Sequence, residues 1–404
     1  MSHVVAIGAG QAASTVSVTL REQGFAGRIT VIGAESVPPY QRPPLSKKYL
    51  LGEMALERLY LRPREYYRDH DIALRLGTEV TGVDTMAKTV AAGGETLAYD
   101  HLVFATGTQP RRLPAAIGGA LEGNHVVRSL ADVDRMAPEF VAGRRVLIVG
   151  GGYIGLEAAA VAASRGLDVT LVEAAPRILQ RVAAPETADY VRALHARHGV
   201  RIIEGVGLNR LTGDGRVTGA MLSDGRRLQA DFVIVGIGVD PVTDLAEAAG
   251  IEIDNGIKVD ALGRTSVPDV WAAGDCASFP YRGARVRLES VPNAIDQAAI
   301  VAANILGANT PYQAEPWFWS DQYDVKLQIA GLNTGYDRVV TRSAGESASF
   351  WYYRGDTLLA VDAVKDPRAY MIAKRLLASG ISPAISVVED PAANLNALLK
   401  SAAA

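Results

Sequence analysis

Val146-Leu147-Ile148-Val149-Gly150-Gly151-Gly152-Tyr153-Ile154-Gly155 begins a run that ends at Glu173, and the rest of the chain can be organised around it. Its first four residues are a continuous apolar run, the pattern of a strand buried on both faces. Gly150, Gly152 and Gly155 then stand in G-x-G-x-x-G spacing. Ile154, Ala158, Val161 and Ala162 fall on one helical stripe, and Gly166 closes the helix. A second strand, Val169-Thr170-Leu171-Val172, ends in Glu173. Strand, glycines, helix, strand and acid in this order predict a dinucleotide site. The glycines permit a tight turn and let backbone N–H groups approach a pyrophosphate at the helix N-terminus, while Glu173 accepts hydrogen bonds from a ribose.

Ala174 and Ala175 follow the acid, where a site for a 2′-phosphate favours a basic residue. Glu173 would also repel that phosphate. NAD(H) is therefore expected, although Arg177 and Arg181 lie further along and could reach in.

The chain has 404 residues, enough for two or three domains. With 49% hydrophobic and 21% charged residues it has a globular composition, and a net charge of −3 offers no basic footprint for nucleic acid. No apolar run reaches the ~18 residues of a membrane span. Val4-Val5-Ala6-Ile7 begins a strand almost at once, leaving no room for a signal peptide, so a cytoplasmic protein is expected. Cys276 is the only cysteine, which excludes an intramolecular disulfide and a cysteine metal cage. No metal site is expected.

The N-terminus carries a second copy of the motif. The Val4–Ile7 strand leads into Gly8-Ala9-Gly10-Gln11-Ala12-Ala13, with Ala13 in the third-glycine place. A helix through Val16 and Leu20 ends near Gly24, and the strand Ile29-Thr30-Val31-Ile32 delivers Gly33-Ala34-Glu35, with Glu35 in the ribose-binding place. Two such sites imply two dinucleotides. FAD and a nicotinamide dinucleotide are expected, because a hydride donor needs a partner to reduce.

Tyr40-Gln41-Arg42-Pro43-Pro44-Leu45-Ser46-Lys47-Lys48 follows. Its prolines stiffen a loop that presents Arg42 and Lys47. The plain reading is a Pro-rich turn before a helix, with Ser46 as a cap and both lysines solvated. Val80 is expected to end a short strand. Tyr99–Gly107, containing Ala105, Thr106 and Gly107, has a near copy in Ala230–Gly238, which contains Gly236 and Gly238. Each is expected to be the last strand of its half, with small residues that let backbone approach a cofactor. The nicotinamide unit is thus expected to be inserted into the flavin unit, with crossings near Pro110–Pro114 and Val239–Asp244. Later, Val270-Trp271-Ala272-Ala273-Gly274-Asp275-Cys276 places Asp275 at a strand's carboxyl edge, where it could bind ribityl hydroxyls or cap a turn. Val291 starts a helix through Leu306. Beyond it the composition shifts: Trp317–Tyr323 is the densest aromatic cluster, and Lys326–Ile329 and Ser349–Tyr353 read as antiparallel strands before a helix at Tyr370–Leu377. Trp319, beside Ser320 and Asp321, is expected to cover a ring.

Together these motifs resemble the NADH-dependent ferredoxin reductases of bacterial oxygenase systems. The resemblance covers essentially the whole chain. It rests on Gly8–Ala13, Arg42-Pro43-Pro44-Leu45-Ser46-Lys47, Gly150–Glu157, Gly274-Asp275-Cys276, Glu289-Ser290-Val291-Pro292-Asn293-Ala294 and Phe318-Trp319-Ser320-Asp321-Gln322-Tyr323, the last two being the more specific. It implies an α/β fold like that of glutathione reductase: two dinucleotide-binding Rossmann-type domains plus a C-terminal α+β domain. The expected division is an FAD-binding domain over 1–112 and 241–315, an NAD-binding domain over 113–240, and a C-terminal domain over 316–404. By the same resemblance Lys47 pairs with Glu157 beside flavin N5. Ala12, Glu35, Arg42, Val80, Arg128, Asp275 and Val291 contact FAD, Trp319 lies over the flavin, and Gly152, Ile154, Glu173 and Gly238 line the NADH site. Tyr153, Gly155, Ala34 and Gly274 complete the motifs as cofactor-binding positions.

Relatives of this fold that exchange thiols carry cysteines near the flavin, and Gln41–Ser46 holds none. Electrons are thus expected to leave from the flavin itself, to a 2Fe-2S ferredoxin that feeds a monooxygenase or ring-hydroxylating dioxygenase. Rubredoxin as acceptor, direct oxidation of NADH by oxygen, and an apoptosis-inducing-factor-like role are the alternatives. No nucleic-acid or membrane partner is expected, and a monomer or weak dimer is. Arg64 and Arg68 form a cationic run that is either a docking patch or a solvated face.

Overall fold

Alternation of apolar strands with small-residue helices produces two parallel sheets. The structure, a computed structural model, describes residues 2–390, 392–395 and 397. It divides into two units, Met1–Arg42, Ala55–Gln109 and Val239–Pro316 in one, and Pro43–Met54, Pro110–Gly238 and Trp317–Ala404 in the other. The last seven positions, 398–404, lie outside the described residues, as do Met1, Pro391 and Asn396.

In the first unit a five-stranded parallel sheet runs in the order Val270–Ala272, His101–Phe104, His3–Ile7, Arg28–Gly33, Ile72–Leu76. The central strands are buried on both faces, which is why their sequences are continuous apolar runs rather than alternating ones. Helices Gln11–Glu22 and Val291–Ile305 pack over one face, with Val16, Leu20, Ala298 and Val301 in a shared core. A three-stranded antiparallel sheet, Val80–Asp84, Thr89–Ala92 and Glu95–Ala98, completes this unit's main elements. Val80 opens a strand rather than ending one. The preceding Gly77 sits at φ +63° and breaks the chain there, so Val80 starts a new direction.

In the second unit the corresponding parallel sheet has the order Arg201–Glu204, Asp168–Glu173, Arg145–Val149, Phe232–Val235, Asn124–His125. A five-stranded antiparallel sheet comes later in the chain, ordered Trp317–Gln322, Val325–Gly331, Thr357–Val364, Ser347–Arg354, Arg338–Ala344. Helix Pro367–Ala378 covers one of its faces. Helix Tyr153–Ser164 packs between the parallel sheet and strand Trp317–Gln322. That explains its composition. Gly155 through Ala162 are all buried, and all but Glu157 are small or apolar, as suits a helix flanked on two sides. Ile154 departs from the expected apolar stripe: it lies at the open N-terminal end of the helix and is 45% exposed. Pro43–Met54, read from sequence with the flavin half, groups with this second unit.

Candidate active site

The first cradle is formed where strand His3–Ile7 turns into helix Gln11–Glu22. Gly8 has φ +108°, and a Cβ there would fall 2.2 Å from the Ala105 carbonyl oxygen, so only glycine fits. Gly10 is the N-cap and provides no side-chain cap, and a methyl group added to it would meet nothing within 4 Å; the first turn carries no acid. The helix therefore presents uncapped N–H groups into open space, which suits a pyrophosphate. Glu35 is held by the Tyr40 hydroxyl (2.6 Å) and by Arg42 (2.7 Å). Burial pulls the Arg42 pKa down, but the facing Tyr40, Glu35 and Asp275 more than offset this and raise it. Gly274, at φ +82°, brings its backbone against Ala12 and Ala294, and its N–H donates to Gln297 Oε1 at 2.8 Å. Gly274, the residue before Asp275, thus lies between the first turns of two helices. Thr106 Oγ1 donates to the Val242 carbonyl at 2.6 Å, and Val291 opens its helix behind the Ser290 cap. Val80 is buried.

The second cradle repeats this construction. Gly150 has φ +107°, and its Cβ would fall 2.4 Å from the Gly236 carbonyl oxygen. Gly152 is an N-cap without a side-chain cap and has open space beside it. Gly155 lets the helix approach the loop: a Cβ would lie 2.1 Å from the Gly150 oxygen. Glu173 accepts from the Gly151 N–H (2.6 Å) and the Ala175 N–H (2.7 Å), which fixes the acid at the strand end. Arg177 is tied to the Ala183 carbonyl at 2.8 Å and so does not turn toward this acid, whereas Arg181 and Arg111 flank Gly238. Arg128 is half-buried in this same unit.

Lys47 and Glu157 meet in the second unit. The Pro43–Ser46 turn delivers Lys47, whose Nζ lies 2.8 Å from Glu157 Oε2. The Glu157 carboxylate, 4% exposed, also accepts from Ser46 Oγ at 2.8 Å and from Ser320 Oγ at 2.7 Å. A desolvated carboxylate needs such partners, and this one has three. Ser46 is therefore not a helix cap. Sequence reading missed the part played by Ser320, whose signal was a small polar residue at a buried position of an aromatic strand. Trp319, its neighbour, faces the other side of that strand, half-buried, with its ring 5.8 Å from that of Trp317. The structure does not bring Trp319 to the Lys47–Glu157 pair.

Residues 2–298 match the family model described as pyridine nucleotide-disulphide oxidoreductase, and residues 317–399 match the model described as reductase C-terminal. The chain belongs to the pyridine nucleotide-disulphide oxidoreductase family. It is 44% identical over 93% of its length to a ferredoxin–NAD(P)(+) reductase of Sphingomonas sp, of which it covers 92%. Over its whole length it is 39% identical to putidaredoxin reductase of Pseudomonas putida, covering 98% of that protein. Among solved structures, a chain of the covalent putidaredoxin reductase–putidaredoxin complex superposes with a TM-score of 0.96 at 39% identity, with 100% of this chain and 99% of that one covered. This oxidoreductase thus has the glutathione-reductase-like fold, and its two uncapped glycine cradles fit FAD and NAD(H). Despite the family description, its single cysteine cannot form a pair. Cys276 is fully buried, and burial pushes its thiol pKa up. Among the described residues no cluster of metal-ligating side chains occurs, and no helix is long and apolar enough to cross a membrane.

Proposed function

We propose that this oxidoreductase takes hydride from NADH and passes single electrons to a 2Fe-2S ferredoxin that serves a monooxygenase or ring-hydroxylating dioxygenase. The observation that carries this reading is the buried Lys47–Glu157 ion pair in a chain with two dinucleotide cradles and no cysteine pair. The named activities of the relatives support the choice of acceptor. Bound FAD supplies the conversion between a two-electron donor and a one-electron acceptor. The chain's own groups do the rest. Gly8, Gly10 and Ala13 admit one pyrophosphate, with Ala12, Ala34, Glu35, Arg42, Val80, Ala105, Thr106, Gly107, Arg128, Gly274, Asp275 and Val291 as further flavin contacts. Gly150, Gly152, Tyr153, Ile154, Gly155, Gly236 and Gly238 admit the other. Glu173 accepts from a 2′-hydroxyl and repels a 2′-phosphate. The Lys47 ammonium, held by Glu157, stabilises negative charge that develops next to it during reduction. Trp319, on the opposite face of its strand from Ser320, would cover the ring away from the Lys47–Glu157 pair. The overall balance is NADH plus two oxidised ferredoxins giving NAD⁺, two reduced ferredoxins and one proton.

The same proposal includes three domains (1–112 with 241–315, 113–240, 316–404), a monomer or weak dimer, and a cytoplasmic location. The decisive experiment is anaerobic stopped-flow spectroscopy of the flavoprotein. NADH should bleach the flavin at least ~100-fold faster than NADPH, and a 2Fe-2S ferredoxin should reoxidise it much faster than air or rubredoxin does. Reduced protein that ignores ferredoxins but reacts quickly with oxygen or rubredoxin would refute the acceptor.

A further inference from the structure

Behind the Lys47–Glu157 pair the second unit contains a line of buried polar groups that cofactor binding does not require. Ser320 Oγ, which donates to Glu157 Oε1, lies 3.2 Å from Gln322 Nε2. Gln322 Oε1 lies 2.8 Å from His195 Nε2, and His195 Nδ1 lies 3.1 Å from the Tyr323 hydroxyl. Ser320 and His195 are 0% exposed and Gln322 3%, so water cannot substitute for the contacts among these three. Tyr323 ends the line at a half-buried position, stacked on the exposed His198 ring at a centroid distance of 3.6 Å.

Donor and acceptor chemistry gives the line one direction. An ionised carboxylate only accepts, so the Ser320 hydroxyl must donate to it and its lone pairs must receive the Gln322 amide N–H. The Gln322 carbonyl then faces His195, so a neutral imidazole carries its proton on Nε2 and offers Nδ1 to the Tyr323 hydroxyl. Burial, opposed by the Gln322 hydrogen bond and aided by His198, pushes the His195 pKa down to about 4, and burial pushes the Tyr323 phenol up. Both groups are therefore in the forms the line needs at neutral pH. The backbone agrees. Tyr323 is the first residue of the tight turn between strands Trp317–Gln322 and Val325–Gly331 and has φ +57°, a conformation strained for a bulky side chain and usual for glycine. The strain is retained where the tyrosine hydroxyl reaches His195.

We propose that Ser320, Gln322, His195 and Tyr323 are positioning residues for the Lys47–Glu157 pair: a hydrogen-bond chain whose donors all point toward Glu157 and whose direction is set by the charge on that carboxylate. The chain keeps the Glu157 carboxylate in one rotamer, and so keeps the Lys47 ammonium in place. Its catalytic consequence rests on the function proposed above; its direction does not. Neutralising Glu157 reverses every link. In Glu157→Gln the carbonyl must face its two donors, Lys47 and Ser46, so the new NH₂ donates to Ser320. Ser320 then donates to the Gln322 carbonyl, the Gln322 NH₂ donates to Nε2, and the His195 proton moves to Nδ1.

The test is ¹⁵N NMR of the flavin-loaded protein with labelled histidine, the His195 signals being assigned by their loss in His195→Gln. The parent should show His195 protonated on Nε2, and Glu157→Gln should show it protonated on Nδ1. Ser320→Ala, which removes the link that orients Gln322, should give a mixture of tautomers that adding Glu157→Gln does not change. An Nδ1-protonated parent, or a Glu157→Gln protein with the parent's tautomer, overturns the chain. If Glu157→Gln does not fold, a purely Nε2-protonated Ser320→Ala protein overturns it instead. Flavin bleaching by NADH should slow about 10-fold in Ser320→Ala and recover in Ser320→Thr. Tautomers that switch as expected while bleaching stays unchanged support the chain and refute the hydride-site role of Lys47 and Glu157.

Discussion

The two dinucleotide halves begin alike and diverge within a helical turn. Gly8 and Gly150 share φ near +108° and +107°, and each lies against the carbonyl oxygen of the residue that follows a neighbouring parallel strand, Ala105 after His101–Phe104 or Gly236 after Phe232–Val235. In the first half that strand is not the last one, contrary to expectation, because Val270–Ala272 adds to the sheet beyond it. Their N–H groups donate to Ile32 and Val172 at the same 2.8 Å. Ala13 then stands where Gly155 stands, and Thr15 where Glu157 stands. The acids differ too. Ile7 pairs with Ile32 and Val149 with Val172, so strand register puts Gly33, not Glu35, opposite the place of Glu173. Glu35 lies two residues further along and is held by the side chains of Tyr40 and Arg42, whereas Glu173 is held by backbone N–H groups. One local rule, a glycine turn before an uncapped helix, builds both cradles. What the side chains around it do differs: the first half surrounds its acid with an ion pair, and the second sends a buried carboxylate from its helix to the Lys47 ammonium.

Making the halves more alike should break the second. Gly155→Ala gives it the residue of the first half, but its methyl must displace the Gly150 carbonyl. A loss above about 4 kcal/mol, or failure to bind NADH, is expected by urea titration and by NADH quenching. Lys47→Met leaves Glu157 as a buried unpaired charge, which the first half, with Thr15, never faces. It should destabilise the protein by about 3–5 kcal/mol, read from the urea midpoint, and slow flavin reduction.

His195 gives the second half an acid limb. Its pKa falls from 6.5 unfolded to about 4 folded, mainly through burial. The unfolded chain therefore binds the extra proton as pH drops below about 6.5, and stability falls until about pH 4, by up to about 3 kcal/mol. His195→Gln should flatten urea-midpoint profiles across that window; an unchanged slope would place the acid limb elsewhere. Glu173→Ala should raise the Michaelis constant for NADH about 10-fold and narrow the gap to NADPH, while Glu35→Ala should leave that preference untouched and loosen flavin retention. The smallest effect is expected for Ala13→Gly, about 0.5–1 kcal/mol from added backbone freedom in a helix, detectable only as a slightly lower melting temperature.

Much of this was legible along the chain because it is local. The G-x-G-x-x-G spacing lies within one strand–turn–helix unit, where Gly8 and Gly150 take positive φ and Gly155 lies against Gly150, and Cys276 as the only cysteine removes disulfide chemistry by count alone. The central parallel strands followed from continuous apolar runs, but their order in each sheet did not. The pair of Lys47 and Glu157, separated by 110 positions, came from resemblance, since no local periodicity links a Pro-rich loop to a helix acid. Tertiary structure alone decided the rest. It placed Ser46 and Ser320 on Glu157, turned Trp319 to the opposite face of its strand from Ser320, left Ile154 exposed at the helix end, and aligned Gln322, His195 and Tyr323 behind the pair. Each of these depends on which faces of distant segments meet, and a side chain's partner across such a contact is set by packing and desolvation rather than by its neighbours in sequence.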